Sequence, residues 1–173
     1  MLEMLHEAET LLPYFLQDES QWKDLFVNYE PPFVERLWMQ WGEYRIYLHR
    51  IHSCKKGEAL FHPHPWPSAI KILSGEYEML VGYGPEDNTP TVAMTLNLGP
   101  GTEYEMINRL GWHSVRPLAM PSMSLMVTGK PWQSIETKNW KNAPVHAPMN
   151  LPGLKKKQRE ELFEFFRYRY PTH

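Results

Sequence analysis

Cysteine is nearly missing from this chain: of 173 residues only Cys54 is one. No disulfide can close within it, which fits a reducing compartment and sets the expectation of a cytoplasmic protein. An excess of positive charge is missing too, since 18 Lys and Arg stand against 20 Asp and Glu, for a net charge of −2. Phosphate binding needs clustered cations, so nucleic acid is not an expected partner. No apolar run approaches the ~20 residues a bilayer-spanning helix needs, so no membrane partner is expected. The opening MLEMLHEAET carries acids early and no positive region before an apolar run, and it does not read as a secretory signal. Paired-cysteine zinc patterns, a glycine-rich phosphate loop and a Ser-His-Asp signature are all missing.

What the chain has in plenty is aromatic side chains: 7 Trp, 9 Tyr and 7 Phe. They favour β-structure or an aromatic-lined cavity. Its length fits one domain able to bury a real core. Residues 3 to 17 repeat Leu5, Ala8, Leu11, Leu12 and Phe15 at helical spacing, with Pro13 placed to end or kink the run. A second short helix is expected over Gln21 to Tyr29, broken by Glu30-Pro31-Pro32.

A strand is expected over Leu37 to Trp41. From Tyr44 the period changes to two. Ile46 and Leu48 share one face, and Tyr47, His49 and Ile51 the other. Short runs follow between Gly and Pro turns: Ala59 to His64, Ser68 to Leu73, Glu76 to Tyr83, Thr91 to Leu98, Tyr104 to Ile107, His113 to Pro117 and Ser122 to Thr128. Many short strands so punctuated argue for a sandwich or barrel. The segment 131–153 reads as extended. Leu154 to Arg169 reads as a helix with an apolar stripe of Leu154, Leu162, Phe165 and Phe166, and Lys155-Lys156-Lys157 as its solvated face.

Within this pattern lies His62-Pro63-His64. Side chains alternate along a strand, so both imidazoles face the same way. Together they make half of a metal site, and a histidine from a distant strand could complete a three-nitrogen set with open positions. His113, in Gly111-Trp112-His113-Ser114-Val115, is the candidate. Trp112 should face away from its neighbour. The histidines at 6, 146 and 173 lie in flanking segments and read as solvated.

These residues resemble the two motifs of the cupin superfamily. Gly57, His62, His64 and Gly75 fall in register with the first motif, with one spacer a residue short. Gly101 leading to Gly111-Trp112-His113 follows the second, with Ile107 where a Pro and Pro117 where an Asn is usual. The resemblance covers about residues 44 to 130. It implies an all-β fold: a cupin double-stranded β-helix, or jelly roll, with flanking N- and C-terminal α-helices. The implied layout is one domain with a helical segment at 1–36, a barrel at 37–130, an extended segment at 131–153 and a helix at 154–170.

Ser68 stands where most metal-binding cupins carry a carboxylate ligand. A neutral hydroxyl is a poor substitute, so its loss should barely change metal content. The chain therefore resembles the three-histidine subgroup, with His62, His64 and His113 as ligands of one divalent metal. Fe(II) is favoured, with Zn, Ni or Mn as alternatives. The Ser-x-His-x-Tyr relay of thiol dioxygenases is replaced by Ser122-Met-Ser124-Leu-Met126, which argues against free cysteine as substrate. The function expected is that of a metal-dependent cupin enzyme, an Fe(II) oxygenase (a dioxygenase) of a small, anionic organic substrate. The alternatives are a non-catalytic metal- or small-ligand-binding cupin and a metal-dependent isomerase or lyase. Tyr47 and His49 are the candidates for catalysis. Arg50, Arg116 and Ser68 are the candidates for substrate binding, because guanidinium groups grip carboxylates as planar forks. Arg45 and Arg109 belong to the same class. A homodimer is the one protein partner this reading admits.

Overall fold

The structure, a computed structural model, describes residues 1–132 and 150–172. The expected extended segment at 131–153 therefore lies largely outside the described residues, as do His146 and His173. Among the described residues, ten strands and two α-helices run in the order α1 (Leu2–Phe15), β1 (Lys23–Val27), β2 (Val34–Trp41), β3 (Tyr44–Ile51), β4 (His62–Pro63), β5 (Ser68–Ser74), β6 (Tyr77–Tyr83), β7 (Val92–Leu98), β8 (Glu103–Met106), β9 (Gly111–Pro117), β10 (Ser122–Thr128) and α2 (Lys156–Arg169). The strands form two antiparallel sheets, β1-β2-β3-β10-β5-β8 and β4-β9-β6-β7. Their inner faces meet around a cavity, as in a jelly roll.

The alternation in β3 sorts the molecule into layers. Ile46 and Leu48 point outward, where Leu37, Leu125 and Val127 join them against Leu5, Ala8 and Leu12 of α1. These side chains are fully buried. Tyr47 and Ile51 point inward, Tyr47 onto Ile70 and Met126, and Ile51 onto Ile72, Tyr77 and Val115. Helix α2 seals the outer core with Leu162, Phe163 and Phe166. Phe163 takes the buried place expected for Phe165, which is only partly covered. Arg159 and Arg167 flank the Phe163 ring, with guanidinium carbons 4.9 and 5.1 Å from its centroid. Lys156 and Lys157 are solvated, facing Glu160 and Glu161 one turn on.

Three local expectations need correcting. Residues 23–27 form a strand where a helix over 21–29 was expected. Five residues are too few to nucleate a stable helix, and they satisfy their backbone by pairing Lys23 through Val27 with Trp38 through Val34. Strand β2 begins at Val34, three residues before the expected Leu37, so both β1 and the start of β2 fall in the segment expected to be helical. The run Ala59 to His64 yields only a two-residue β4, since Pro63 and Pro65 carry no N–H to donate to a ladder.

Candidate metal centre

Strand β4 lies against β9 so that His62 is directly opposite His113. His64 follows two residues after His62 and shares its face, so the three rings converge. Their centroids lie 4.3 to 5.6 Å apart, and one ligating atom of each lies within 4.8 Å of the others. His64 and His113 are buried. No carboxylate belongs to this cluster among the described residues.

Hydrogen bonds at the rear of the rings decide which nitrogens face the centre. His62 Nδ1 lies 3.1 Å from the Leu60 carbonyl, which can only accept, so Nδ1 carries the proton and Nε2 the lone pair. His64 Nδ1 lies 3.0 Å from Ser68 Oγ, which can take the same role. His64 Nε2 and His113 Nε2 stand 2.7 Å apart. Among the described residues, the buried His113 Nδ1 has no hydrogen-bond partner. Burial holds His64 down to about 3, helped by the neighbouring charges of His62 and Arg36. Burial, then His64 and His62, pushes His113 well below its ordinary value. Both rings are thus held neutral, the form that ligates a metal. Two inward Nε2 atoms and two rear contacts fix the tautomers a tetrahedral or more open metal site requires.

The three rings open onto a cavity of about 180 Å³. Its wall is largely apolar, with Val34, Ile51, Ile70, Val115 and Met126 among its members. Two polar pairs interrupt it. Tyr77 Oη donates to Tyr104 Oη at 2.8 Å. On the six-stranded sheet, which also carries Tyr104, Arg36 Nε donates to His49 Nε2 at 2.9 Å, the two residues facing each other across the β2–β3 ladder. Burial, then the charges of Arg36 and His64, pushes His49 well below its ordinary pKa.

The other candidate residues are placed as follows. His49 lines the cavity. Tyr47 shares its strand face but is buried beside it, and its hydroxyl accepts from Arg45 Nη1 at 3.3 Å. Ser68 is fully buried behind His64 rather than in the cavity wall. Arg50 and Arg116 lie outside that wall. Arg50 is held by Glu35 and Glu161, and Arg116 by Glu78. Arg109 is exposed. His52 pairs with Glu35, and exposed His6 with Glu103. Trp112 turns away from the cluster, stacking near Phe61 and donating to the Gly84 carbonyl.

Arg36, Tyr77 and Tyr104 are cavity residues that the sequence did not single out, and for Arg36 a signal was there. Its signal was parity. Starting the strand at Leu37 left Arg36 outside it, whereas a strand from Val34 puts Arg36 on the face opposite Leu37 and Met39, toward the cavity.

The chain has the cupin fold. It is similar over 65% of its length to the Fe(II) form of HppE, with TM-score 0.50 and 13% identity, covering 58% of that chain. It is similar over 66% of its length to Fe(II)-HppE with the alternative substrate (S)-1-HPP, with TM-score 0.50, 15% identity and 58% of that chain covered. Hydroxypropylphosphonic acid epoxidase from S. wedmorenis aligns over 66% of this chain and 58% of its own, at 16% identity and TM-score 0.49. The chain thus spans less than two thirds of the length of these neighbours. No family model matches the chain, and no curated protein matches it.

Proposed function

We propose that the protein is a mononuclear metal-dependent enzyme, with His62, His64 and His113 as metal ligands and Fe(II)-dependent oxygenation of a small organic substrate as its reaction. The observation that carries this is the convergence of three imidazoles on a largely apolar cavity, two of which, His62 and His64, have rear hydrogen bonds that turn Nε2 inward. The buried Nδ1 of His113, without a hydrogen-bond partner among the described residues, and the 2.7 Å contact between the Nε2 atoms of two neutral rings fit a centre that an ion completes. The likeness to Fe(II)-bearing HppE supports the fold on which such a centre is built.

A bound iron would supply a redox-active Lewis acid with positions open to small ligands, since three protein nitrogens leave part of its coordination sphere unfilled. The chain's own residues do the rest. The Leu60 carbonyl fixes the His62 tautomer and Ser68 orients His64. Val34, Ile51, Val115 and Met126 exclude bulk water from the substrate's side of the site. The Tyr77–Tyr104 pair offers a hydroxyl handle in that largely apolar wall.

The test is an anaerobic titration of the Fe(II)-loaded protein with nitric oxide, followed by its electron-spin signal, with and without a panel of small organic acids, thiols and diketones. Nitric oxide should bind, and one class of panel member should change the signal. If iron binds neither nitric oxide nor any panel member while zinc binds tightly, oxygenation is wrong and a metal-binding module replaces it.

A further inference from the structure

Among the described residues, Arg36 is a cation in the cavity wall with no acid to balance it. Among the described residues its contacts are one hydrogen bond, from Nε to His49, and a stack over the Tyr47 ring at 5.1 Å. Its other neighbours among the described residues are the phenols of Tyr47 and Tyr29, uncharged at neutral pH, and the like charge of Arg45. This sets it apart from Arg50, Arg116, Arg159 and Arg167, each of which meets an Asp or Glu. Glu30 also lines the cavity, but it is exposed at the mouth and forms no ion pair with Arg36. An arginine half-buried in a largely apolar wall without a counter-ion is a costly arrangement unless something charged completes it.

The geometry prepares the group for a ligand. The stack on Tyr47 fixes the plane of the guanidinium. The bond to His49 fixes its rotation within that plane and uses only Nε. His49 can accept there because its ring is held neutral. The two Nη nitrogens remain, and their N–H groups form the planar fork that matches two oxygens of a carboxylate. The charge balance points the same way. Three neutral imidazoles and no carboxylate would leave a bound divalent metal uncompensated, and Arg36 adds a further positive charge to the same cavity.

We infer that Arg36 is the anion anchor of this cavity and that the molecule it holds is a small organic carboxylate with an apolar body. The carboxylate lies on the Nη edge of Arg36, and the apolar body lies along Ile51, Ile70, Val115 and Met126 toward the three histidines. His49 is a positioning residue that holds the fork in place. That the bound acid is a substrate rests on the metal-enzyme reading; that Arg36 binds an acid does not.

The experiment uses the full chain loaded with Zn(II), where no turnover occurs. Calorimetric titrations compare straight and branched carboxylic acids of three to six carbons with the carboxamides of the same skeletons. The acids should bind and the amides should bind at least 10-fold more weakly, because a charge-assisted fork is lost. Arg36→Met should weaken the acids by roughly 10- to 100-fold and leave the amides unchanged. Arg36→Lys, which keeps charge without the fork, should fall between. Circular dichroism and metal content verify that each variant is folded and loaded, and the acid–amide comparison on the unaltered protein needs no variant. Equal binding of acids and amides, or acid binding indifferent to Arg36→Met in a folded, loaded protein, overturns the inference while leaving the metal centre standing. Arg36-dependent acid binding by a protein that takes up no metal upholds it and removes the enzyme reading instead.

Discussion

The Nε2 atoms of His64 and His113 stand 2.7 Å apart, each on a buried ring held neutral by its surroundings. Only one of the two can donate across that contact, so only one proton fits between them. A divalent ion bound to both lone pairs removes the need for that proton and draws in His62 as well. One metal ion per chain is therefore expected after reconstitution. His62→Ala, His64→Ala and His113→Ala should each lower its occupancy sharply under chelator competition. Saturation at about 100 times the dissociation constant should add about 2.7 kcal/mol of stability, read as a raised melting temperature. A His113→Ala protein that retains its full complement would show that the third ligand is misassigned.

Ser68 illustrates how a residue can matter without touching the metal. Considered as a replacement for a ligand, its hydroxyl looks dispensable. Behind His64 it is the partner of Nδ1 and has no exposed surface. Ser68→Ala should leave a buried ring nitrogen unpaired, at a cost of about 1–3 kcal/mol. It should also weaken metal binding by roughly 10- to 100-fold, as loss of the group orienting a ligand generally does. Competition with a coloured chelator measures this directly. Unchanged affinity would mean that the hydroxyl only fills space.

The legible parts of this fold were those written in periodicity. The alternation in Tyr44 to Ile51 placed Ile46 and Leu48 on one face and Tyr47 and Ile51 on the other, and the two layers of the molecule follow that division. His62 and His64 share a face for the same reason. The convergence of His113 on them depends on the β4–β9 register, which local sequence does not encode; only the motif resemblance suggested it. Strand β1 was hidden because five residues carry too little pattern, and its pairing partner decides its state. Arg50 and Arg116 looked like equal candidates for an anion site. What separates them from Arg36 is the placement of Glu35, Glu161 and Glu78, which tertiary structure alone supplies.

Helix α2 should be integral to the outer core. Phe163 and Phe166 are buried against the six-stranded sheet and Trp22, with the Phe163 and Trp22 rings edge to face at 6.2 Å. Phe163→Ala or Phe166→Ala should each cost about 3–5 kcal/mol. Phe165→Ala, at a partly covered position, should cost clearly less. Denaturant unfolding of the three variants tests the order. A Phe165 variant as damaged as the other two would contradict this placement of the helix.

The Tyr77–Tyr104 pair makes a prediction at alkaline pH. Burial raises Tyr104 to about 12, and burial, then Tyr104, pushes Tyr77 well above its ordinary value. Folded-state values above the unfolded one mean that folding favours the protonated phenols. Their contribution is fully present below about pH 10, the ordinary tyrosine value, and is lost as pH rises through the folded pKa. An absorbance titration at the phenolate band should therefore show a late step from this pair. The inner pair should ionise only as stability falls, above about pH 10 and toward about 12. Tyr104→Phe should leave the almost fully buried Tyr77 hydroxyl unpaired and lower stability at neutral pH by about 1–3 kcal/mol. It should also remove one late-titrating phenol. If every tyrosine ionises together near pH 10 in a protein that stays folded, the hydroxyl pair is open to solvent and this part of the cavity wall is not closed as described.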